Sequence, residues 1–222
     1  MKHKSILSIL ALLLFTFTTL PLAAQLTEEV RSAHYFSFPQ FRKAKVIQPF
    51  GKFVEVEANV FLKDASLCFL AGDTIKKAYL DKVIAVKFDS VEYRTINKTM
   101  LGEVIATKNY NYLLRVRTID MERFTKETDG SENGAFFEFD GIGRMSNTFI
   151  DLNSDNYRKE GYPLKDKYYF IVKGRAVVAS ESHIRREVSH RSLNKFKAMM
   201  NDRWWSWRDE ESLIMLLDLL PY

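Results

Sequence analysis

Between residues 83 and 119 apolar and polar side chains alternate. Ile84, Val86 and Phe88 are separated by Ala85, Lys87 and Asp89. Val91, Tyr93 and Thr95 are separated by Glu92 and Arg94, and Tyr112, Leu114 and Val116 by Leu113, Arg115 and Arg117. Successive side chains of a strand leave opposite faces of the sheet, so this period marks half-buried strands rather than helices. Residues 108–111 turn the chain between two such runs, as a hairpin requires. The segment predicts an antiparallel meander with an apolar face that the rest of the chain must cover.

The flanking segments extend the pattern. In residues 53–62, Val54, Val56, Ala58, Val60 and Leu62 share one face, and Glu55, Glu57 and Asn59 share the other. Shorter strands are predicted at 67–70, 74–79 and 103–107, and a last pair at 167–173 and 175–179 around Gly174. Residues 27–33 read as one or two helical turns, residues 34–50 as an irregular arm across the sheet, and 120–128 as a short helix with Met121 and Phe124 inward. Residues 135–155 show no readable period.

The period changes near the C-terminus. Leu193, Phe196, Met199 and Trp204 follow helical spacing from about Ser189. A second helix is predicted over 207–220, with Ile214, Leu217 and Leu220 on a stripe widened by Leu213, Met215, Leu216 and Leu219. Ser206 followed by Asp209 resembles a capping box. The predicted fold is α+β: a curved, mostly antiparallel sheet of roughly seven to nine strands, a partly closed barrel or sandwich, capped by two C-terminal helices.

Lys2, His3 and Lys4 precede an apolar run, Pro21 breaks it, and Ala23 and Ala24 precede Gln25. That is the layout of a secretory signal peptide cleaved after Ala24, and the run falls short of the ~20 apolar residues of a membrane span. The predicted organisation is a signal peptide over 1–24 and one domain over 25–222, with an arm (25–50), a β-rich body (53–179) and a helix pair (189–220). Export to the periplasm or the cell exterior follows, with no stable membrane span after cleavage. Loss of Lys2 and Lys4 lowers the net charge from +5 to +3, too mild a balance to argue for nucleic acid. Cys68 is the single cysteine, so no intramolecular disulfide forms.

Further landmarks are Val60-Phe61-Leu62-Lys63-Asp64, Asp81-Lys82-Val83, Tyr93, Gly102-Glu103-Val104-Ile105 and Tyr168-Tyr169-Phe170-Ile171, followed by the helix pair. Over most of the mature chain this layout resembles uncharacterised exported β-rich proteins of Gram-negative bacteria. The resemblance implies a fold and an address and no activity.

Three patterns carry candidate chemistry. Asp151, Asn153 and Asp155 alternate like the opening of a calcium loop, where short oxygen ligands curl onto one hard cation. Tyr162 stands where such a loop closes with a bidentate acid, and an Asx-rich turn satisfied by its own backbone explains the same residues. Asp73-Thr74-Ile75 and Asp89-Ser90-Val91 resemble acceptor sites of a bacterial O-glycosylation system, with Thr74 and Ser90 as the modified residues. A basic run, from His183 through Arg185, Arg186, His190 and Arg191 to Lys195 and Lys197, suits an anionic polysaccharide or lipid surface, or a solvated helix face. Cys68 lies in an apolar run with no base nearby in sequence and reads as core. No nucleophile elbow, phosphate loop or paired histidine motif is present.

These features predict an exported, non-catalytic envelope protein that binds or scaffolds a protein or polysaccharide component, with no cofactor. The alternatives are a small-ligand or Ca2+-binding barrel, with Asp151, Asn153 and Asp155 at its mouth, and a hydrolase whose site is assembled from distant segments.

Overall fold

A computed structural model describes residues 30–127 and 160–221. Their strands are β1 (Arg31–Ser32), β2 (Arg42–Ile47), β3 (Phe53–Phe61), β4 (Ser66–Ala71), β5 (Thr74–Lys77), β6 (Ala85–Phe88), β7 (Val91–Thr95), β8 (Leu101–Lys108), β9 (Asn111–Ile119), β10 (Tyr162–Val172) and β11 (Arg175–Val178). Helix α1 (Met121–Glu127) follows β9, and α2 (Glu181–Glu187), α3 (Leu193–Met200) and α4 (Glu210–Leu216) follow β11. The fold is α+β. Eleven strands form one antiparallel sheet, two more than the largest number expected, in the order β1-β10-β9-β8-β7-β6-β2-β3-β4-β5, with β11 also on β10.

The expected meander over residues 83–119 is present as β6 to β9, and β10 pairs with its last strand. The hairpins are tighter than the sequence suggested. Lys108 pairs with Asn111, so β8 and β9 are joined by two residues, Asn109 and Tyr110, at φ 51° and 62°. Lys173 and Gly174 join β10 to β11 in the same way, at φ 50° and 75°. Paired left-handed residues give the primed turns whose twist suits adjoining strands.

The arm over 25–50 requires correction. It contains β2, which enters the middle of the sheet between β3 and β6. Ala44 and Val46 are buried while the lysines beside them are exposed, so β2 is an ordinary half-buried strand. Arg31 and Ser32, expected as helix, pair with β10. Asn59, itself buried, holds the intervening segment: its Oδ1 accepts from Phe38 N (3.1 Å) and its Nδ2 donates to Phe38 O (2.8 Å).

The sheet curls into a half-barrel. The turn after β3 reaches across it, where Leu101 N donates to Ala65 O (2.9 Å) and Ile119 N to Leu62 O (2.7 Å). At one end the inner face is filled by Val46, Val60, Leu67, Leu80, Val86 and Phe88. At the other, Leu113, Phe170 and Val172 pack against Ile184, Phe196 and Leu213 of the helices. Ile84, expected to share the buried face with Val86, lies 44% exposed at the rim, just before β6 begins.

The C-terminal helices form, with different bounds. Helix α2 was not foreseen: Ile184 is its single buried residue, too little for a periodic signal. Helix α4 is shorter than 207–220. Asp209 is its N-cap and accepts from Ser212 N (2.7 Å), so the cap begins three residues after Ser206. Ile214 and Met215 point outward while Leu213, Leu216, Leu217, Leu219 and Leu220 are buried.

Gly102 marks the tightest approach between β8 and its neighbours. A Cβ there would lie 2.9 Å from both Ile96 Cδ1 and Leu114 Cβ. Gly102→Ala is expected to lower stability by about 1–3 kcal/mol through overpacking, read as a lower midpoint in urea with an unchanged slope.

Candidate functional site

Alternation along β9 places Leu113, Arg115 and Arg117 on the inner face of the curl. The apolar member meets the helices, and the two arginines face a cavity of about 350 Å³. Its walls come from distant parts of the chain: Val60 and Leu62, Tyr93, Leu101 and Glu103, and Leu164. Residues from both halves of the sheet meet there because the sheet is curved.

The register sets the ion pairs. Glu103 of β8 and Tyr168 of β10 are the cross-strand partners of Arg115, and Asp166 is that of Arg117. Opposed residues on one face are close enough to pair. Arg117 grips Asp166 with two bonds, Nε to Oδ1 (2.8 Å) and Nη2 to Oδ2 (2.7 Å). Arg115 Nη2 donates to Glu103 Oε2 (2.9 Å), and its Nη1 reaches Glu210 Oε1 (2.8 Å) at the start of α4. Tyr168 donates its hydroxyl to the same Glu210 oxygen (3.1 Å). Arg115 therefore ties the sheet to the helical cap. Its Nε is buried and has no hydrogen-bond partner.

The electrostatics follow from burial and these partners. Burial pulls the Arg115 guanidinium down, but Glu103 and Glu210 outweigh it, so the net shift is upward. The hydrogen bond to Asp166 holds Arg117 up. Burial first, and then Glu103, push the Tyr93 hydroxyl up to about 12; burial first, and then Glu210, do the same for Tyr168. Both tyrosines are neutral donors at ordinary pH. Cys68 is wholly buried beside Phe36, Phe61 and Ile75, and burial raises its thiol to about 12. It is an inert core residue.

These raised values predict a loss of stability in alkali. A group whose folded pKa exceeds its unfolded pKa stabilises the fold below the unfolded value, and that stability disappears as pH climbs to the folded value. The unfolded chain begins to release these protons near 9 for Cys68 and 10 for the tyrosines, and the folded chain near 12. The melting temperature should hold up to about pH 9 and fall steeply above it. A flat profile to pH 11 would contradict the burial of these groups.

The other sequence candidates lie elsewhere. Asp151, Asn153 and Asp155 lie outside the described residues. Among the described residues no group of three or more metal-ligating His, Cys, Asp or Glu side chains is found. Thr74 is the exposed first residue of β5, just after the Gly72-Asp73 turn, and Ser90 sits in the exposed turn between β6 and β7. Ser180 Oγ lies 2.7 Å from His183 Nδ1, an exposed contact at the start of α2, and neither residue lines the cavity. The arginine network was not found from sequence, where Arg115 and Arg117 read as the polar side of a strand. No family model, curated protein or solved structure matches the chain.

Proposed function

We propose that the protein is a non-catalytic binding module of the bacterial envelope that holds a small ligand inside its half-barrel. The observation that carries this reading is the cavity, where Arg115 and Arg117 share the lining with Leu62, Leu101 and Leu164. Its volume, about 350 Å³, lies at the lower end of small-molecule sites. A ligand with a hydrogen-bond acceptor and an apolar body matches these walls. Chemistry is not assigned: among the described residues of the lining, both arginines are paired to carboxylates. The envelope address rests on the leader-like residues 1–24 and on the resemblance to exported β-rich proteins.

The scaffolding reading draws on a different fact: both guanidiniums already have internal partners. Thermal melting in the presence of small carboxylates, phosphates and neutral amphiphiles separates the two. Ligand at about a hundred times its Kd should stabilise by about 2.7 kcal/mol, which raises the melting temperature of a domain this size by roughly 5–10 °C. Val91→Phe, at the cavity wall, should abolish that rise without lowering the basal melting temperature. If no compound class moves the transition, the network is structural and the ligand-binding reading fails.

A further inference from the structure

Apart from Arg42, which lies over the Phe38 ring, the arginines of the sheet are matched. Arg94, Arg115, Arg117 and Arg175 each reach a carboxylate within the fold. The helical cap is different. Arg185 and Arg186 on α2, Arg191 before α3, and Lys195 and Lys197 on α3 are all exposed, and none makes an ion pair among the described residues. Of the cap's acids, Glu187, Glu210 and Asp218 are engaged with Arg175, Arg115 and Lys108, and Glu181, Asp202 and Glu211 are exposed like the cations. Three buried residues, Ile184, Val188 and Phe196, fix the inward sides of the two helices and so leave these cations on the outside.

The same cap exposes apolar side chains. Trp204 is 77% exposed in the segment between α3 and α4, with the Arg203 guanidinium 4.7 Å from its ring centre. Met215 and Ile214 are 54% and 39% exposed on α4. Neighbouring Trp205 and Trp207 pack on the core instead, so exposure of Trp204 is specific to that position. Cations without an internal partner, together with an exposed indole and aliphatic side chains on the same helical cap, suit the boundary between anionic headgroups and acyl chains. A sugar polymer would use the cations and the indole but has no place for Ile214 and Met215.

We propose that α2, α3 and the Trp204 segment form a docking surface for an anionic lipid bilayer, on which the protein sits peripherally. No described helix is long and apolar enough to cross a membrane, so attachment here is by surface charge and shallow insertion. The proposal is independent of the half-barrel cavity.

Flotation of the chain beginning at Gln25, which carries every described residue, tests it. The probes are phosphatidylcholine vesicles with and without phosphatidylglycerol, at low and high salt. Binding should require phosphatidylglycerol, weaken with salt, and shift tryptophan emission to the blue. Combined Arg185→Gln, Arg186→Gln, Lys195→Gln and Lys197→Gln should weaken partition roughly a hundredfold or more. Trp204→Ala should retain salt-sensitive binding and lose the blue shift. Circular dichroism melts establish that each variant is folded. Equal binding to phosphatidylcholine alone would overturn the proposal. So would unchanged binding by the folded quadruple variant, or alginate binding as tight as vesicle binding, which would point to a polysaccharide.

Discussion

Phe170→Ala is expected to destabilise the protein by about 4 kcal/mol. Phe170 is fully buried in the layer between the sheet and the helical cap, with Leu113 and Val172 on its own side and Phe196 and Leu213 opposite. Removing the ring forfeits its transfer free energy and leaves a cavity that rigid strands on both sides cannot close. In a chain of this length the melting temperature should drop by roughly 10 °C. Met215→Ala supplies the contrast. Met215 belongs to the same cap but is 54% exposed, so its loss should cost no more than about 0.5 kcal/mol. Similar costs for the two would mean that α4 presents a different face to the sheet.

Arg115→Met should cost about 3 kcal/mol for a different reason. The side chain loses little volume, but Glu103 and Glu210 lose the guanidinium that compensates their partial burial. Leaving a carboxylate short of solvent and without its partner is more damaging than the intact pair is stabilising. Replacing the acids as well, by Glu103→Gln and Glu210→Gln in the Arg115→Met background, should recover much of the loss. Chemical denaturation of the four combinations measures the coupling. Additive costs would show that the three side chains do not act together.

The sequence showed the sheet more readily than the site, and the residues explain why. The runs in β3, β6, β7 and β9 alternate visibly, although burial follows the alternation only in part: Val54, on the expected apolar face of β3, is 46% exposed, and Leu113 and Leu114 on opposite faces of β9 are both buried. Strand β2 alternates as well, through Ala44 and Val46, but its small alanine and the run of basic residues made it look like an arm. Helix α2 escaped notice because one buried isoleucine in seven residues sets no period. The cavity was hidden for a stronger reason. Arg115 meets Glu103 across 12 residues, Glu210 across 95, and Tyr168 comes to the same acid across 42. Such partners meet only because the sheet curls, and curvature has no local signature. Polar residues on a strand normally face water; here the inner face changes from apolar to charged along a single strand.

The place of β2 in the strand order has a consequence for how the molecule comes apart. It is the one link in the strand order between a meander built from β2 to β5 and another built from β6 to β11. That link is short, with Val46 opposite Val86, Ile47 opposite Ala85, and two lysines, Lys45 and Lys87, facing each other. Like charges at opposed positions weaken a ladder, although Lys45 rests on the Phe53 ring and Lys87 pairs with Glu92. The β2–β6 seam is thus a narrow, salt-sensitive zipper between two leaves, braced from inside by the bonds of Leu101 N to Ala65 O and Ile119 N to Leu62 O, and an opening along it must break those bonds as well.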